Sequence, residues 1–176
     1  MVAGADSIED MRLLRHGGMG RLFDRVYAPS TLGSFLRSFE FGHVRQLDAV
    51  ASRFLTGLIS ETPTLLPAGS GYTFVDIDDT IIEVEGYLKG ASFGYSGVRG
   101  LNAVLAVAST NDCAPVILTQ RLRKGSTSSA RGAKRIVSDA LAQLRRMPGD
   151  RRVLLRADAA YYSHAVVLAA QQAGAD

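Results

Sequence analysis

Between Tyr72 and Thr80 an apolar run closes in three carboxylates, Asp76, Asp78 and Asp79, within four residues. The run reads as a buried strand, and side chains alternate along a strand, so Asp76 and Asp78 share one face while Asp79 takes the other. Like charges that close repel unless a divalent metal sits between them or they share a proton. Carboxylates at the carboxyl end of a core strand mark a candidate active site. The rest of the chain has to supply the elements that bury this strand.

Upstream, residues 1–67 read as a helical region. Asp6 and Ser7 cap a first helix toward Arg15, which Gly17 and Gly18 stop, and Gly20 to Val26 allows another turn or two. Pro29-Ser30-Thr31 opens a third helix, and Gly42 is expected to interrupt it. Val44, Leu47, Val50, Ala51, Phe54, Leu55 and Leu58 form an apolar stripe on a fourth helix ending near Pro63. Such a stripe is expected to be core. Thr62 to Gly71, with two prolines and two glycines, marks a boundary.

Downstream, residues 68–176 alternate differently. Tyr72–Thr80, Leu101–Ser109 and Pro115–Leu122 read as three strands on short links, hence antiparallel. Glu83 to Gly100, with five glycines, is a hairpin turn or loop. Ser128–Met147 reads as a basic amphipathic helix with Ile136, Val137, Ala140, Leu141 and Leu144 inward. Arg152–Ala157 is a fourth strand closed by Asp158, and Ser163 caps a last helix. The expected class is α/β (α+β): a helical N-terminal region, then an incomplete ribonuclease-H-like core with a mixed sheet. In that arrangement the first and fourth strands are neighbours, so Asp78 and Asp158 face one another across a metal site. Two Mg²⁺ ions so held activate a water or 3′-hydroxyl and stabilise the leaving oxygen in phosphodiester transfer.

Four further segments sharpen this. Val75-Asp76-Ile77-Asp78-Asp79-Thr80, Gly94-Tyr95-Ser96-Gly97-Val98-Arg99-Gly100-Leu101-Asn102, Ala114-Pro115-Val116-Ile117 and Leu155-Arg156-Ala157-Asp158-Ala159-Ala160-Tyr161-Tyr162 resemble the DDE group 1 transposases of bacterial insertion sequences. Ala28 to Arg37 is similar to that family's segment before the catalytic core. The resemblance runs in order over nearly the whole chain. It implies a transposase that cuts and joins DNA at element ends with Mg²⁺ or Mn²⁺. It also implies that Asp78 and Asp158 are catalytic metal ligands, with Asp76 the fallback for the first. The family's third carboxylate, a glutamate on a later helix, has no counterpart: Glu83 and Glu85 follow the first strand too closely, and the other glutamates lie in the N-terminal region. The expectation is therefore a fragment, inactive alone, whose partners are transposon-end DNA and a second copy or an intact transposase.

Two alternatives stand beside this. One is a non-catalytic DNA-binding remnant. The other is a haloacid-dehalogenase-like phosphatase, because Asp76-Ile77-Asp78-Asp79-Thr80 also resembles that family's signature. There Asp76 is the nucleophile and Asp78 the acid/base, with Thr119 and Lys124 or Lys134 for its later motifs. That fold needs a parallel sheet with helical crossovers.

Charge adds a polyanionic partner. Residues 118–152 hold ten Lys and Arg against Asp139 and Asp150, whereas residues 1–67 balance seven Arg with seven acids. Arg121, Arg123, Lys124, Arg131, Lys134 and Arg135 cluster at the third strand's exit and are the expected phosphate contacts. One cysteine, Cys113, fits a reducing compartment, and no apolar stretch reaches membrane length, so a cytoplasmic protein without a membrane partner is expected. His16, His43 and His164 lack ligand spacing.

Overall fold

A computed structural model describes residues 7–69 and 71–176. Asp6 and Ser70, named above as a cap and within the boundary stretch, lie outside them. Packing separates two compact units, Met1–Ala49 and Val50–Asp176.

In the first unit Glu9–Arg15 and Gly17–Arg21 form 3-10 rather than α turns. Ser7 donates through its N–H and hydroxyl to Asp10 Oδ2, at 2.8 and 2.9 Å, instead of accepting as a helix cap. Helix α1, Pro29–Arg37, starts with proline at its first position, where the missing N–H costs nothing. The break after it falls at Ser38–Glu40, not at Gly42. Ser38 Oγ donates to the Phe35 carbonyl at 2.7 Å, and the Glu40 N–H donates to His43 Nδ1 at 3.1 Å, so both helix ends are tied by side chains. Gly42 sits inside the next helix, α2, Phe41–Glu61.

The apolar stripe of α2 is not core. Val44, Leu47, Val50, Phe54 and Leu58 are exposed, while Ile59 is fully buried and Leu55 packs against the core of the second unit. Only the end of this helix joins a hydrophobic interior.

The second unit is built on a mixed sheet. Strands β1 (Tyr72–Glu83), β3 (Arg99–Ser109) and β4 (Val116–Lys124) are antiparallel neighbours. A two-residue strand β2, Ser92–Phe93, pairs with the start of β3. Strand β5, Arg152–Ala157, lies parallel to the other edge of β1, with Ile77 opposite Ala157. Helix α3 (Ala133–Leu144) links β4 to β5, and helix α4 (His164–Gln172) follows. The path β4-β3-β1-β5 is the ribonuclease-H-like order expected from the sequence. It excludes the parallel sheet that a phosphatase reading requires.

Alternation explains the layers. Val75 and Ile77 on β1, Val104, Ala106 and Ala108 on β3 and Leu118 on β4 are buried, and Ile136, Val137, Ala140, Leu141 and Leu144 of α3 close the core. Helix α3 starts later than Ser128, because Gly132 at φ +80° turns the chain before its first residue. Gly125, at the end of β4, allows a close approach: a Cβ there lies 2.1 Å from the Gly100 carbonyl oxygen and 2.3 Å from that of Ser92. Ser163 Oγ accepts from the Val166 N–H and caps α4, as expected.

Candidate active site

Strand β1 places its three carboxylates in three environments. Asp76 lies opposite Arg156 on β5, whose guanidinium donates to both carboxylate oxygens at 2.6 and 2.7 Å while stacking over Phe74. The hydrogen bonds that Arg156 donates to Asp76 hold the Arg156 pKa above its ordinary value, against a smaller opposing effect of burial. Asp76 is thus matched by a cation.

Asp78 is exposed, and its Oδ1 accepts the N–H of Asp79 at 2.8 Å. Asp158, just past the end of β5, accepts the Ala160 N–H at 2.9 Å and caps a 3-10 turn, Ala159–Tyr161. Asp78 and Asp158 line one cavity of about 530 Å³. Its other walls include Phe93, Tyr95 and the hydroxyl-rich loop from Ser126 to Ser129. The structure therefore brings together the two aspartates singled out above. Asp76 does not line this cavity.

Asp79 turns to the core, as alternation requires, and is 7% exposed. Its carboxylate accepts from the Tyr161 hydroxyl and from Asn102 Nδ2, and Arg123 Nη2 lies 3.4 Å away. Arg123 also donates to Asn102 Oδ1 at 2.8 and 2.6 Å, and to the Arg131 and Ser128 carbonyls at 2.7 and 3.4 Å. Burial pushes the Asp79 pKa up, but hydrogen bonds from Ser129, Tyr161 and Asn102 and the charge of Arg123 outweigh it. The net effect is a pKa below the ordinary carboxylate value. Burial, with the hydrogen bond to Asp79 and its charge, raises the Tyr161 pKa well above that of a free phenol. The pair is therefore an ionised carboxylate and a neutral phenol at neutral pH.

Sequence reasoning did not find this network, although one signal was present. A carboxylate sharing a strand face with Val75 and Ile77 must find partners inside. Asn102 and Tyr161 stand in segments that carry the family resemblance, but nothing in the sequence pairs either with Asp79.

The basic cluster divides likewise. Arg123 points inward with its side chain 14% exposed. Arg121 pairs with Asp139 at 3.0 Å, and Arg135 pairs with the same carboxylate at 2.9 Å. Lys124, Arg131 and Lys134 are exposed. Among the described residues no group of three His, Cys, Asp or Glu is placed to hold a metal, and no helix is long and apolar enough to cross a membrane.

Residues 69–176 match the model of the transposase DDE domain family. No curated protein matches the chain. Among solved structures, a Mos1 transposase paired-end complex with left transposon end is similar at 16% identity and a TM-score of 0.33, over 94% of this chain and 56% of that one. A pre-cleavage Mos1 transpososome is similar at 13% identity and a TM-score of 0.35, over 97% of this chain and 58% of the other. The chain thus spans little more than half the length of either. The family match takes in β1 through α4 and every residue of the cavity described above, and by it the chain belongs to the transposase DDE domain family.

Proposed function

We propose that residues 68–176 form part of a metal-dependent site for DNA strand cleavage and transfer at transposon ends, with residues 1–67 a separate helical region. The observation that supports this most directly is the pairing of Asp78 and Asp158 in one cavity, each one residue past the last parallel pair of the adjacent strands β1 and β5. The donor set fits a hard divalent cation such as Mg²⁺ or Mn²⁺. It consists of two exposed carboxylates with oxygen ligands only, beside an opening wide enough for substrate phosphates. When bound, such a metal activates a water or 3′-hydroxyl and stabilises the leaving oxygen.

The protein's own groups then have distinct tasks. Asp78 and Asp158 hold the cation. Lys124, Arg131 and Lys134 offer charge to the DNA backbone. The Ser126–Ser129 loop lines the same cavity as the carboxylates, and the hydroxyls of Ser126, Thr127 and Ser128 donate to phosphate oxygens, that of Ser129 being given to Asp79. Arg121 and Arg135, engaged by Asp139, and Arg123, turned inward, contribute less to DNA contact. Asp79 lines the same cavity, but its carboxylate is taken up by Tyr161, Asn102 and Arg123. No group of three ligating side chains is placed to hold a metal among the described residues, so this chain binds metal and DNA without completing cleavage.

The test combines fluorescence anisotropy with transposon-end duplexes and a Mg²⁺-dependent nicking assay on the same DNA. Expected are salt-sensitive binding and no nicking. Salt-insensitive binding contradicts the phosphate contacts, and nicking by this chain alone contradicts the incompleteness of the site.

A further inference from the structure

Parallel pairing of β1 with β5 ends at Ile77 opposite Ala157, one residue before each aspartate of the cavity. Backbone hydrogen bonds between these strands therefore do not set the separation of Asp78 from Asp158. Two exposed carboxylates facing one opening repel each other, so something else has to hold them.

A path of hydrogen bonds, joined through the residues that make them, connects the two aspartates. Asp78 Oδ1 accepts the N–H of Asp79, and the Asp79 carboxylate accepts the Tyr161 hydroxyl. The Tyr161 N–H donates to the Asp158 carbonyl at 3.1 Å, and Asp158 Oδ1 accepts the Ala160 N–H. Every link lies within three residues of one aspartate or the other. Tyr161 is 1% exposed, so its ring cannot swing away without opening the core. Arg123 braces the path from behind and ties the hydroxyl-rich loop to it through the Ser128 and Arg131 carbonyls.

Stability alone is a poor reason for such an arrangement. A buried ion pair replaced by well-packed apolar residues is often neutral or more stable, because desolvation offsets the Coulombic gain. What an apolar pair does not supply is a directional link of fixed length between two chain segments.

Asp79 also lines the cavity, but its carboxylate is taken up by Tyr161, Asn102 and Arg123. We propose that Tyr161 and Asp79 are positioning residues whose hydrogen bond is a strut fixing the spacing of Asp78 and Asp158. This rests on the reading of those two aspartates as metal ligands. Partners behind metal ligands are worth about 10- to 100-fold in affinity elsewhere, which sets the expected size of the effect.

The experiment is a Mn²⁺ titration of the full chain by calorimetry, at a temperature where circular dichroism shows each variant fully folded. Tyr161→Phe keeps the ring and removes only the strut, and is expected to weaken Mn²⁺ binding about tenfold. Tyr162→Phe, an exposed neighbour, is expected to leave binding unchanged. Asp78→Asn and Asp158→Asn are each expected to abolish it. If Mn²⁺ does not bind, or binding survives both aspartate variants, the metal-site reading fails and the strut with it. If the aspartate variants abolish binding and Tyr161→Phe does not weaken it, the strut alone is overturned. Should Tyr161→Phe not fold, hydrogen exchange on the unsubstituted chain decides. The amides of Asp79, Ala160 and Tyr161 are expected to gain protection together on adding Mn²⁺, and unchanged protection overturns the proposal.

Discussion

The Tyr161 hydroxyl donates to the Asp79 carboxylate across the interior, joining the middle of β1 to the turn that follows Asp158. Asn102 and Arg123 complete a buried polar cluster with members from β1, β3, β4 and the turn after β5. Each exposed aspartate of the cavity thus stands beside a buried group, and the buried groups are bonded to each other.

Removing Arg123 is expected to be severe. It leaves an ionised Asp79 buried without its cation and releases two loop carbonyls, so Arg123→Ala should cost about 3–5 kcal/mol of unfolding free energy. Lys134→Ala, on an exposed position, should stay within about 0.5 kcal/mol. Urea denaturation of both variants separates an interior role from a surface one. Similar midpoints would contradict the burial of Arg123.

Tyr161 predicts an alkaline limit. Its folded-state pKa lies above the unfolded value, so folding binds its proton more tightly. That contribution is complete below about pH 10 and is lost as pH rises from there toward the higher folded value. Above about pH 10 the unfolding midpoint should fall, and in Tyr161→Phe this part of the fall should be missing. Parallel pH profiles for the two proteins would show that another group governs the limit.

The sheet was legible because alternation and order are local properties of the chain. The run from Tyr72, the acidic strand end and the spacing to Arg152–Ala157 were enough to make β1 and β5 neighbours. The strand also runs on to Glu83, because Ile81 and Ile82 are β-branched and pair with Asn102 and Leu101 of β3. The fate of the α2 stripe was not legible, because periodicity shows which residues share a face and not whether anything covers it. Arg123 illustrates the same limit at the site. In sequence it stands among Arg121, Lys124 and Arg131 as one more surface cation, and only the pairing of β3 with β4, setting Asn102 opposite Arg123, turns it inward.

Gly125 is where three segments meet with no room for a side chain. Its N–H donates to the Gly90 carbonyl at 3.1 Å, and a Cβ would collide with backbone oxygens of Gly100 and Ser92. Because backbone rather than a flexible side chain has to yield, Gly125→Ala should cost about 1–3 kcal/mol. It should also detach β2 and move Phe93 and Tyr95 away from the cavity. Faster hydrogen exchange at the Ser126 N–H, which donates to Ser92 Oγ at 2.8 Å, reports that detachment. Unchanged exchange there would mean that the turn adapts elsewhere.

Exposed cations should be separable from engaged ones by salt. Each lost phosphate contact lowers the slope of log affinity against log salt by about 0.9 on duplex DNA. Lys124→Ala, Arg131→Ala and Lys134→Ala are each expected to show that decrease, with binding weakened alike on unrelated sequences. Arg135→Ala, whose guanidinium is already held by Asp139, should change the slope less. Equal slopes for all four variants would leave the division of the cluster without support.

Asp76 and Asp78 share a strand face, so only their surroundings distinguish them as ligands. The Arg156 fork already satisfies both oxygens of Asp76, and a cation binding there would have to displace a guanidinium held by two short hydrogen bonds. Asp78 carries no such burden and opens into the cavity shared with Asp158. Asp76→Asn is therefore expected to leave Mn²⁺ affinity within about twofold, well short of the tenfold scale of positioning effects, while Asp78→Asn abolishes binding. A double variant, Asp76→Asn with Arg156→Gln, should behave like the first. If Asp76→Asn instead removes metal binding and Asp78→Asn spares it, the first metal ligand is Asp76, and the Arg156 fork must open whenever metal binds.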